Sequence, residues 1–317
     1  MDEPILTWVI FNIFIIIVLL FDILWSKGKV YKFKSALLWS LSWITLSMVV
    51  ALWFFVEDGS LLQNNERGIS FLAAYIAEKA LCFDNLFVFI LIFQFFKIPA
   101  NLQSLALTYG IIGALVARAI FIAIGSIILS MFGWVMLIMG IFLVYTGIKI
   151  SLAKEDNVNP EKNFLFKFSK KFMNVTDEFK GSSFTVKDNK GITRLTPMFL
   201  VVIVLASTDI IFAIDSIPTV FGITQDVFIV WSSNMMAVVG MRPLFFLIQE
   251  IKNKFRFLKY GLGIILVIIG LKMAFEYILD YHINIYFSLS AIVIVIAGSI
   301  LLSSLLPKKN GSNPIKN

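Results

Sequence analysis

Five carboxylates stand inside stretches apolar enough to lie in lipid: Glu78, Asp84, Asp209, Asp215 and Glu276. An ionised group at the centre of a bilayer costs on the order of 3 kcal/mol or more, so such residues mark pathways, relays or paired counter-ions. Four of them follow a pattern. Glu78 precedes Asp84-Asn85-Leu86 by six positions, and Asp209 precedes Asp215-Ser216-Ile217 by the same interval. Six residues of helix are about 9 Å of rise and 120° of azimuth, so the two acids of a pair border one cavity but chelate one ion together only if the helix unwinds. The spacing points to one central site joining Asp84 and Asp215, with Glu78 and Asp209 nearer its two mouths. Pro218 is placed to loosen the helix just beyond Asp215. Asn85, Ser207, Thr208, Ser216 and Asn234 add neutral oxygens and amides. A donor set of oxygens without thiolate or imidazole suits Mg, Ca or Mn.

The basic residues inside apolar stretches are Lys79, Arg118, Lys149, Arg242 and Lys272. Arg118 and Arg242 read as counter-charges for an empty carboxylate site, and Lys272 with Glu276 as an ion pair one helical turn apart. The single Cys82 and single His282 exclude an intrachain disulfide framework, a multi-thiolate metal site and an imidazole cluster. Cys82 reads as a small apolar filler. No phosphate-binding loop or kinase pattern is present, which leaves no basis for ATP hydrolysis and no expectation of an enzyme or a resident cofactor.

The elements that must hold these residues are membrane helices. Of 317 residues, 59% are hydrophobic and 32 are Phe, and mean hydropathy is +0.90; runs near 20 apolar residues recur along the chain. The pattern predicts an all-α polytopic membrane protein with nine spans, at about 5–25, 36–56, 69–95, 104–128, 132–151, 197–221, 227–248, 260–279 and 285–306. The acidic start and the length of the first run argue for a retained helix rather than a secretory signal. Lys and Arg fall in alternate connections: 26–35, 153–195, 249–259 and the tail are basic, whereas 57–67 is acidic. The positive-inside rule then places the N-terminus outside and the C-terminus in the cytoplasm of a plasma (bacterial inner) membrane. The net charge of +7 is topogenic on this reading and implies no nucleic acid. Loop 153–195 reads as a cytoplasmic linker, with a short amphipathic helix around Phe164 to Phe179.

Three helices occur twice in order. Glu78 and Asp84 recur as Asp209 and Asp215, Arg118-Ala119-Ile120-Phe121 as Arg242-Pro243-Leu244-Phe245, and Gly140-x6-Gly147-Ile148-Lys149 as Gly263-x6-Gly270-Leu271-Lys272. The chain therefore divides into two N-terminal helices (1–68), a first three-helix unit (69–152), the linker (153–196), a second unit (197–280) and a last helix with its tail (281–317). An odd number of helices per unit inserts the second copy upside down, the 3+3 inverted-topology repeat of secondary transporters. The glycines allow close helix packing.

The segments "EKALCFDNLFVF" (78–89), "STDIIFAIDSIPTVFGITQD" (207–226) and "SSNMMAVVGMRPLFF" (232–246) resemble the signature segments of the TerC family of integral membrane proteins, its Alx-type members in particular. The resemblance covers spans two to nine. It implies manganese efflux and an association with tellurium resistance, and it sets the family's acidic positions on Glu78, Asp84, Asp209 and Asp215, with polar positions on Asn85, Ser216 and Asn234. Cys82 stands where Ser or another small residue is expected. The resulting expectation is a divalent-cation exporter, with Mn(II) as transported substrate, working by alternating access and coupled to an ion gradient. Its partners are the metal ion and the bilayer, with a second copy or another membrane protein left open. Two alternatives remain: a non-transporting membrane factor that supplies metal to secreted or membrane enzymes during assembly, and a tellurium-resistance protein.

Overall fold

The computed structural model describes residues 4–26, 31–57, 65–152, 181, 183–187, 193–251, 257–281 and 283–305; the side chains of Ser26, Asp84, Asp215, Ile251, Leu258 and Lys259 lie outside that description. The chain forms an all-α polytopic membrane bundle. Its helices are α1 (Ile5–Ser26), α2 (Phe33–Glu57), α3 (Glu66–Phe95), α4 (Ala100–Met131), α5 (Val135–Leu152), α6 (Pro197–Phe221), α7 (Val227–Val238), α8 (Met241–Ile251), α9 (Leu258–Leu279) and α10 (Ile285–Leu305). Helices dominate because lipid offers no partner for a free N–H or C=O, so each crossing must satisfy its own backbone. Seven of the helices are long and apolar enough to cross a membrane, and the bent pair α7–α8 makes an eighth.

At 30 residues α3 is about 45 Å long, ample for a crossing, but it carries Glu78, Lys79 and Asp84. Its neighbours explain how it tolerates them. It packs against α2, α6, α7, α8, α9 and α10, so Glu78 is fully buried and Lys79 reaches carbonyls of α7 instead of lipid. At the other extreme, α1 exposes Ile5, Leu6, Ile10, Ile13, Ile16, Ile17, Leu20 and Leu24, as a helix bathed in hydrocarbon does.

The two three-helix segments contact each other reciprocally. The first helix of each packs on the second helix of the other, α3 on α7 and α6 on α4; the first helices also meet, α3 on α6, and the third helices meet as α5 on α9. In that last pair a Cβ at Gly140 would come within 2.7 Å of the Gly270 oxygen, and one at Gly263 within 2.6 Å of the Gly147 oxygen. No side chain fits at that separation, so glycine at these four positions sets how closely α5 and α9 approach.

Two local features differ from the sequence reading, a break within span seven and a ribbon before α6. Span seven is not continuous: Val239 and Gly240 separate α7 from α8, whose axes bend by 50°. Gly240 has φ of +80° and abuts the Trp43 ring, a turn and a contact that only glycine accommodates there. Pro218 lies inside α6, which ends at Phe221, the boundary expected for that span. The linker closes with an antiparallel ribbon, β1 (Thr185–Lys187) against β2 (Thr193–Leu195), seated by Phe184 against Tyr109 of α4 and Phe199 of α6. The amphipathic helix expected around 164–179 falls outside the described residues.

Candidate functional site

Glu78 and Asp209 occupy the same place in their helices, twelve residues after the first residue of α3 and of α6. Arg118 comes from the middle of α4, roughly 27 Å along that helix from its first residue. The three meet. Arg118 Nη1 is bonded to Glu78 Oε1, and Arg118 Nε lies 3.6 Å from Asp209 Oδ2; all three side chains are completely buried. The same Nη1 donates to Asn234 Oδ1 of α7 at 2.7 Å, and the Asn234 amide is oriented by its own bond to the Val230 carbonyl at 3.1 Å. One guanidinium thus ties both acids and an amide, drawing on two helices of each three-helix segment.

This corrects the placement of Glu78 and Asp209 at separate mouths. Both lie in the interior at a single arginine, because α3 and α6 pack directly and bring their equivalent positions together. The helices stay regular through 78–84 and 209–215, so the unwinding that would let Glu78 and Asp84 share an ion is absent there. Asp84 and Asp215 sit on α3 and α6, with side chains outside the described set. Their chain neighbours Asn85 and Ser216 are buried, and Asn85 Nδ2 and Ser216 Oγ have no hydrogen-bond partner. Glu78 Oε2, Asp209 Oδ1 and Arg118 Nη2 are likewise without one. Buried polar atoms are almost always satisfied, so the orphans on Glu78, Asp209 and Arg118 mark this cluster as a centre able to take up something polar.

Other candidates are placed elsewhere. Ser207 and Thr208 donate to the Val204 carbonyl of their own helix, at 2.9 and 2.7 Å, the back-bonding usual for hydroxyls in membrane helices. Arg242 is not a second counter-charge of the acidic centre: its Nη1 lies 3.5 Å from Asp22 Oδ2 of α1, and its Nη2 donates to Thr108 Oγ1 of α4 at 2.7 Å. Asp22 escaped the sequence reading, although it is the one acid within the first apolar run. Lys272 pairs with Glu276 at 3.5 Å as expected and also donates to the Gly222 carbonyl. Cys82 is fully buried, as its reading as filler required. Among the described residues, no group of three His, Cys, Asp or Glu side chains is close enough to hold a metal.

Residues 63–311 match the family described as "Integral membrane protein TerC family". The chain belongs to the TerC family. It is 40% identical over 305 residues, 94% of both chains, to the "Putative membrane-bound redox modulator Alx" of Photorhabdus laumondii. It is 37% identical over 306 residues, again 94% of both, to the protein of that name in Escherichia coli K12. An "Uncharacterized membrane protein" of Rickettsia felis is 36% identical over 270 residues, 84% of this chain and 88% of its own. No solved structure matches the chain significantly. In this TerC family member Glu78 and Asp209, one from each acidic motif, meet at the same arginine, Arg118.

Proposed function

We propose that this protein exports a divalent metal cation, Mn(II), across the plasma (bacterial inner) membrane by alternating access, with an ion gradient as the driving force. The observation that carries the reading is the buried Glu78–Arg118–Asp209 cluster, with one acid from each three-helix segment. Two carboxylates share one guanidinium in the membrane interior, and Asp84 and Asp215 add two further acids to the same helices, α3 and α6. A dication is the natural complement. Arg118 is then a placeholder: to free Glu78 and Asp209 for metal it keeps Asn234, a neutral partner already in hand. Protons compete with metal for the same oxygens, which makes proton exchange the simplest coupling. The reciprocal packing of α3–α7 with α4–α6, and of Gly140–Gly270 with Gly147–Gly263, supports an inverted repeat with the cargo between its halves.

The relatives' description as redox modulators fits this reading indirectly, through intracellular metal. A direct thiol role would fall to Cys82 alone, which is buried and has no second cysteine in the chain. Tellurite as cargo suits the site poorly, since Arg118 is already committed to two acids.

The deciding experiment is Mn(II) uptake into sealed vesicles containing only this protein. Uptake above empty vesicles is expected; none, with folded protein present, would favour the assembly-factor alternative. The orientation is tested by reporter fusions, which should read cytoplasmic within 153–195 and external just after position 282.

A further inference from the structure

A helix that stops inside a membrane protein leaves carbonyls without donors, at the end where the helix dipole is negative. The end of α7 is such a place, and it is filled. Lys79 of α3 sends its ammonium across to the Ala237 carbonyl at 3.0 Å and the Val239 carbonyl at 3.3 Å. Gly240 turns the chain away at once, with the Trp43 ring against it, so the two oxygens stay presented to the bundle interior. The seat adjoins the acidic centre on both sides. Lys79 follows Glu78 directly in α3, and Asn234, bonded to Arg118, is one turn before Ala237 in α7.

The Lys79 ammonium is bonded to these carbonyls, while Glu78 is bonded to Arg118. Lys79 is not part of the repeated pattern: the residue after Asp209, its counterpart in the second unit, is Ile210. Carbonyls at a broken helix are what transporters use to coordinate small monovalent cations, and an ammonium group donates to carbonyls as such an ion attracts them. We propose that the Ala237 and Val239 carbonyls at the α7–α8 break form a monovalent-cation seat, and that Lys79 is its permanently tethered occupant. Together with the transporter reading, on which this one consequence rests, the seat makes metal export independent of sodium and potassium, because the position a free alkali cation would take is already occupied.

The test removes the tether. Purified Lys79→Ala is unfolded thermally in choline chloride and in the chlorides of lithium, sodium, potassium and methylammonium. At least one of these cations is expected to raise its midpoint by roughly 5 °C, while the parent protein does not respond. Lys79→Met, whose unbranched side chain keeps most of the lysine stem's volume, should not respond either. If Lys79→Ala is recovered folded only when prepared with one of these cations, that is the same result in stronger form. No response to any cation, failure to fold in all of them, or an equal response from the parent overturns the seat. In vesicles, Mn(II) uptake by the parent should not change when choline replaces sodium, and uptake by Lys79→Ala should fall about tenfold in choline and recover with the cation that stabilised it. Parent vesicles that move no divalent metal would defeat the transport reading alone, since the thermal result decides the seat without any transport.

Discussion

Arg118 and Arg242 begin the same four-residue pattern in the two three-helix units and live in different surroundings. Arg118 is fully buried between acids contributed by both units and shares an amide with α7. Arg242 is held by Asp22 of α1 and Thr108 of α4. Thr108 and Arg118 are ten residues apart on α4, about 15 Å along its axis, so the two arginines mark two separate levels of the bundle. The contrast shows what breaks the equivalence. The partner that captures Arg242 comes from α1, a helix outside the repeat. A third element that engages one arginine and not the other makes the two units differ.

If the level of Arg118 handles cargo and the level of Arg242 holds the bundle, losses of transport should concentrate at the first. Asp84→Asn and Asp215→Asn, which keep shape and remove a charge, should each reduce Mn(II) uptake to background with protein abundance unchanged; near-normal uptake by either would remove the central site. Arg118→Ala should destabilise the protein by about 3–5 kcal/mol in denaturant unfolding in micelles, because it strands two buried carboxylates. Adding Glu78→Gln should recover part of that loss. Arg242→Ala should cost less, about 1.5–3 kcal/mol, and should leave the KM for Mn(II) unchanged; equal costs and equal effects on KM would mean that the two levels do the same work. The smallest effect is on pH dependence. Since protons and metal compete for the carboxylates, lowering the pH on the metal-binding side from about 8 to about 6 should raise KM, and Asp209→Asn should make that rise shallower. A KM that is flat in the parent would exclude proton exchange at this centre.

The membrane helices were legible because lipid imposes one rule on every residue of a crossing. Boundaries expected at 5–25, 197–221 and 260–279 are found at Ile5–Ser26, Pro197–Phe221 and Leu258–Leu279. The glycine pattern 140, 147, 263, 270 announced close packing, and those positions do meet. The break after Val238 was not legible. Val239 is apolar and Gly240 is common in membrane helices, and what turns the chain there is the Trp43 ring from α2 and the Lys79 ammonium from α3. The ribbon before α6 was missed because its three-residue strands carry no readable alternation and are seated by edge-to-face contacts of Phe184 with Tyr109 of α4 and Phe199 of α6.

What the sequence determined by itself is the set of groups that must be compensated: ionisable side chains in apolar helices, identified from composition because the bilayer charges the same cost wherever they occur. Which group compensates which was decided only by tertiary structure. Glu78 lies 40 residues from Arg118, Lys79 lies 158 from Ala237 and Arg242 lies 220 from Asp22. Periodicity within one helix reports the face on which a charge stands. The partner across that face is fixed by how neighbouring helices stack, and that depends on the summed packing of all of them.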